Sequence, residues 1–98
     1  MNKEPIATKH AYRRAKERLG WNKSALRGQM VKAFYHGAAH KDVKSKLRKY
    51  VDKLWLKSKN CNNIRIYGEN LYLFNNEILI TVYRLDNKLI KYTSLLRN

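Results

Sequence analysis

Apolar positions recur every three or four residues through roughly the first sixty, then every second residue in short runs afterwards. Ala11, Tyr12, Ala15 and Leu19 share one side of a helix that Thr8 can cap and Gly20 can break. In "GWNKSAL", Asn22 is a good N-cap, and Trp21 before it is placed to staple onto Leu26. The second helix then buries Leu26, Met30, Ala33 and Phe34, and Gly37 ends it. Asp42 opens a third, in which Val43, Leu47, Tyr50, Val51, Leu54 and Trp55 give the strongest amphipathic pattern of the chain.

The period changes after "KNCNN". Ile64–Tyr67, Leu71–Phe74, Ile78–Leu85 and Leu89–Thr93 are short β-branched or aromatic runs, separated by "GEN", "NNE" and "DNK". Three short connections in succession predict an antiparallel meander. The expected fold is therefore α+β: three N-terminal helices (residues 8–57) followed by a four-stranded antiparallel meander sheet (residues 63–93), in a single domain 1–98. Helices would cover one sheet face. Alternation would gather Arg65, Tyr67, Tyr72, Thr81 and Tyr83 on the other, where tyrosines interleaved with a cation suit base stacking and phosphate contact. Tyrosine and threonine are also ordinary strand residues.

Charge changes the picture most. Twenty-two Lys and Arg stand against seven Asp and Glu, for a formal charge of +15. Residues 1–60 hold 17 basic and 4 acidic side chains, and residues 61–98 hold 5 and 3. Such self-repulsion does nothing for stability; beside the plain reading of a merely soluble basic surface, it points to a polyanionic partner, RNA or DNA, and RNA is the expected one. Lys46, Lys49, Lys53 and Lys57 on the third helix, with Arg13 and Arg18 on the first, are the expected backbone contacts. No membrane partner is expected, because the apolar stripes are needed for the core and no run approaches ~20 apolar residues. The start "MNKEPIATKH" has no apolar leader region, and the lone Cys61 fits a reducing cytoplasm.

Chemistry is a narrower matter. His10, Arg14 and Glu17 lie at i, i+4 and i+7, with Arg18 beside them. An imidazole can move protons at neutral pH, and a neighbouring guanidinium can hold a phosphate and the charge that develops on it. That set would serve metal-free RNA cleavage by an attacking 2′-hydroxyl; equally, Arg14 and Glu17 form an ordinary exposed helix pair. His36 and His40 are four apart, but Gly37 lies between them, and no metal site is expected there. Seven scattered acids argue against a two-metal nuclease, and no glycine-rich phosphate loop or other cofactor motif is present. No cofactor and no metal are expected.

The pattern H-A-x-x-R-x-x-E-R in "KHAYRRAKERLGWN", the helix end "AFYHG" and the stretch "NNIRIYGENLYLFNNEILITVYRL" resemble a group of small proteins carried by bacteriophages, prophages and other mobile elements of Gram-positive bacteria. That group resembles the barnase–EndoU–colicin–RelE class of metal-free ribonucleases. The resemblance spans about Ile6 to Tyr92. It implies a RelE-like fold in the cytoplasm of a bacterial host. It matches His10, Arg14, Glu17 and Arg18 to the helix motif and Arg65 and Thr81 to strand positions, with Arg65, Tyr67, Tyr83 and Arg84 in parts comparable to those of RelE-like toxins. The catalytic set it implies is His10, Arg14, Glu17, Arg65 and Tyr83; Tyr67, Tyr72 and Arg84 join the binding set. The implied partners are RNA, the ribosome, an acidic antitoxin or a host ribonucleoprotein. Three functions stay open: a toxin-like endoribonuclease, a non-enzymatic nucleic-acid-binding regulator, and a phage inhibitor of a host defence complex such as a CRISPR ribonucleoprotein. The long basic third helix departs from the family pattern and suggests extended backbone binding.

Overall fold

A computed structural model describes residues 4–96, with side chains described through Thr93. The first helix, α1 (Lys9–Leu19), starts where the Thr8 hydroxyl accepts from the Ala11 N–H at 3.0 Å, and it stops at Gly20, whose φ of 70° is the left-handed cap. Helix α2 (Lys23–His36) starts where Asn22 Oδ1 accepts from the Ala25 N–H at 2.8 Å. Gly37 follows it with extended backbone, and the space there admits only glycine. A Cβ there would sit 2.5 Å from the Ala33 carbonyl oxygen and 3.1 Å from both Arg65 Cβ and the Ile66 oxygen.

The third helix begins later than its pattern suggested. Asp42 ends a 3-10 turn, His40–Asp42, and α3 runs Ser45–Lys57 with Lys44 at the cap and no side-chain cap bond. Leu47, Val51 and Leu54 face inward as expected, while Trp55 stands at the flank, 40% exposed.

Strands β3 (Asn63–Tyr67), β4 (Asn70–Asn75) and β5 (Ile78–Arg84) form the expected antiparallel core of the sheet. The rest of the sheet differs. Two two-residue strands complete it: β1 (Ile6–Ala7) pairs parallel to β5, and β2 (Ala38–Ala39) pairs antiparallel to β3. The order is β1-β5-β4-β3-β2, five strands and mixed. The predicted fourth strand, Leu89–Thr93, is instead helical: α4 (Asn87–Ile90), capped by Asp86 Oδ1, leads into a 3-10 turn. A RelE-like arrangement of three N-terminal helices followed by a four-stranded meander is therefore corrected. Four helices flank a five-stranded mixed sheet with one parallel pair. Runs of two residues carry too little periodicity to announce a strand, and Leu89, Ile90 and Tyr92 present an apolar side as easily in a short helix as in a strand.

Both sheet faces are covered. Leu71, Leu73, Ile64 and Ile66 pack with Val43, Leu47, Val51 and Leu54 around α3. Tyr72, Phe74, Leu79 and Val82 pack with Ala11, Ala15, Leu26, Met30 and Ala33 from α1 and α2. The open tyrosine face expected from alternation does not exist. A bulge contributes to that misreading. Leu73 pairs with Thr81 and Phe74 with Leu79, so Ile80 is the extra residue, and Leu79 and Val82, three apart, share a face.

Tyr72 is fully buried, which removes its ring from any ligand's reach. Burial pushes its hydroxyl well above the ordinary tyrosine range; the neighbouring Asn70 amide offsets part of that without completing a hydrogen bond. A buried hydroxyl without a partner costs about 1–3 kcal/mol. Tyr72→Phe should therefore keep the fold and raise its unfolding free energy by about 1 kcal/mol in urea titration; a loss of stability would show that the hydroxyl is bonded.

Candidate nucleic-acid interface

Helix α3 presents three sides. With Leu47, Val51 and Leu54 inward, Lys46, Lys49, Lys53 and Lys57 fall within an arc of roughly 80° at about 100° per residue, along some 16 Å of axis. All four are exposed, and none forms an ion pair among the described residues. Next to this stripe lies a groove of about 650 Å³ between α3 and the C-terminal helical segment, lined by Lys46, Tyr50, Asp86, Lys88, Lys91 and Tyr92. Burial, then the nearby Tyr83, raises the Tyr50 hydroxyl above its usual range, and Arg18 partly offsets this.

Arg18 belongs to the same region. Its Nη1 donates to the Val82 carbonyl at 2.8 Å and to Thr81 Oγ1 at 3.4 Å, and its Cζ lies 4.2 Å from the Tyr83 ring centre. Strand β1 covers β5 only at Ile78 and Leu79, and the Thr8 hydroxyl reaches the Ile80 carbonyl at 3.4 Å. Arg18 satisfies the next stretch of that edge, so part of its charge is already committed to the fold. Farther back on α1, Arg14 Nε donates to His10 Nε2 at 3.4 Å, Arg13 Nη2 lies 3.2 Å from His10 Nδ1, and Arg14 pairs with Glu17 at 3.1 Å. A neutral imidazole has one lone pair and accepts from only one of these guanidiniums at a time.

The remaining sequence candidates lie elsewhere. Arg65 donates from Nε to Asn63 Oδ1 and from Nη1 to the Gly37 carbonyl, both at 3.0 Å, tying β3 to the end of α2. Strand β4 separates it from β5, on which the His10 helix α1 packs. Tyr67 packs half-buried against the α1–α2 core, and Arg84 pairs with Glu69 at 3.4 Å.

Sequence reading missed a further cluster. His40 Nε2 lies 2.6 Å from Asp52 Oδ1, which also accepts from Arg48 Nε at 2.8 Å. Folding thus brings His40 a carboxylate from α3 twelve residues on, rather than from its neighbour Asp42. The available signal was the Arg48, Asp52, Trp55 spacing on one flank of α3. Among the described residues no group of three or more His, Cys, Asp or Glu could hold a metal ion, and no helix is long and apolar enough to cross a membrane.

No family model, curated protein or solved structure matches the chain.

The hydrogen bond with His40, and after it the one from Arg48, hold the Asp52 carboxyl below the ordinary carboxylate range. Its folded pKa is the lower one, so the ionised group stabilises the fold above its unfolded value of about 4. That contribution disappears as the pH falls through the lowered value. Asp52→Asn should lower the melting temperature at pH 7, and the gap to the parent should close below about pH 4; a gap independent of pH would refute this account.

Proposed function

We propose that this protein binds single-stranded RNA through the α3 lysine stripe and the adjoining tyrosine-lined groove. One observation carries the reading: four cations at helical spacing, with no ion pair among the described residues, run beside a groove that offers Tyr50 and Tyr92. Cations that track a backbone beside aromatic side chains suit unpaired strands of any sequence. Lysines one helical turn apart, about 5–6 Å, match the step between successive phosphates. Helix α2 supports a major-groove reader less well. Its exposed side includes Lys23, Arg27 and Lys32, and its other side is held by Leu26, Met30 and Ala33 in the core.

Salt dependence measures the phosphate contacts directly. Binding of a labelled single-stranded oligoribonucleotide should weaken steeply as salt rises. Replacing Lys46, Lys53 and Lys57 together by Ala should lower the slope of log affinity against log salt by about 2. An unchanged slope would move the backbone contacts off α3, and tighter binding of duplex DNA would overturn the choice of RNA.

His10, with guanidiniums at both ring nitrogens, favours a second reading in which the bound RNA is cleaved without metal. Here His10 is the proton-transfer group and Arg13 and Arg14 hold the phosphate. Incubation with RNA in EDTA should give cuts that His10→Ala reduces about 10²- to 10⁴-fold while the circular dichroism stays that of the parent. RNA left whole, on ribosomes as well as free, would remove the enzymatic reading and leave the binding one.

A further inference from the structure

On the opposite flank of α3 from the lysine stripe, Trp55 borders a cavity of about 290 Å³, which His40, Lys41, Arg48, Asn63 and Ile64 also line. We propose that this cavity binds one nucleotide unit, its base stacked on Trp55 and its phosphate held by Lys41 and Arg48.

The site is built before any ligand arrives. Asp52 bonds both His40 and Arg48, and Arg48 Nη1 donates to the Val43 carbonyl at 3.2 Å, so ring and guanidinium are tied to helix and turn together. His40 packs against Trp55 with ring centres 5.4 Å apart and planes 59° apart, which fixes the indole while 40% of the residue remains exposed. An exposed tryptophan held in place stacks a base at little entropic cost. Polar groups lie around it. Asn63 Oδ1 is taken by Arg65, and its Nδ2 makes no hydrogen bond among the described residues, which leaves a donor for a base edge. Arg48 Nη2 is similarly unused, and Lys41 is exposed beside it. The volume suits a single nucleotide rather than a larger ligand. Aromatic face, amide and two cations match a base plus a phosphate better than a free phosphate, for which the indole would be superfluous.

This inference rests on the RNA reading for the origin of its ligand, and the two can fail separately. With Trp21→Phe as background, Trp55 is the single tryptophan of the chain. Its emission should change on titration with 5′-AMP and stay constant with inorganic phosphate. Trp55→Leu should weaken binding of a twelve-residue oligoadenylate roughly 5- to 100-fold, and Trp55→Phe should retain most of it. Emission unmoved by AMP, with oligoadenylate still bound equally by Trp55→Leu, overturns the pocket and leaves the lysine stripe intact. Emission moved by AMP in a protein that holds no oligoadenylate keeps the pocket and removes the RNA reading. Silence from both probes removes both.

Discussion

Strand β4 imposes the constraint on which the rest of the molecule depends. Leu71, Tyr72, Leu73 and Phe74 are all buried, so successive side chains point to opposite faces and neither face can meet water. A chain of 98 residues must then supply cover twice. Helices α1 and α2 take the side of Tyr72 and Phe74, while α3 and the C-terminal segment take the side of Leu71 and Leu73. Each covering helix spends its apolar stripe on the sheet and turns its charged side outward. Cationic surface consequently appears on both sides of the molecule, and the sheet itself has no free face.

Much of this was legible where the signal was local. The caps at Thr8 and Asn22, the break at Gly20 and the paired runs β3 to β5 all follow from a few adjacent residues. What escaped depends on partners distant in the chain. Ile6 and Ala7 become a strand because β5 offers them an edge, and Ala38 and Ala39 because β3 does. The run Leu71–Phe74 did hold the warning: an uninterrupted apolar segment signals burial on both faces, whereas strict alternation signals a half-exposed sheet. In β5 the bulge at Ile80 shifts the phase of alternation, and no single residue there announces it.

Candidate chemistry divides in the same way. His10, Arg14 and Glu17 are one local constellation on α1, and their mutual contacts follow from spacing. Arg65 and Tyr72 depended on an open sheet face, and they became a tie to Gly37 and a core residue respectively. Arg18 shows how one side chain can serve both ends: it closes an exposed strand edge and also brings positive charge to Tyr83. The His40–Asp52 pair needs the 3-10 turn to bend back over α3, a twelve-residue return that spacing alone does not reveal.

The arrangement of α3 has a mechanical consequence. Its lysine stripe and Trp55 lie on opposite flanks of one helix, separated by the side that carries the exposed Leu56. A strand that used both would cross the helix rather than run along it. Thirteen residues of helix fix the two flanks in angle and in height, so no loop motion is required to bring them into register. Cation contacts along the stripe are tolerant of sequence, since every nucleotide carries the same phosphate. In the proposed site a base on Trp55 would meet the Asn63 amide, so any preference among bases would arise there. On that proposal one helix divides the labour, with grip along the charged stripe and selection in the cavity beside the ring, and the burial demanded by β4 sets the helix that carries both stripe and ring.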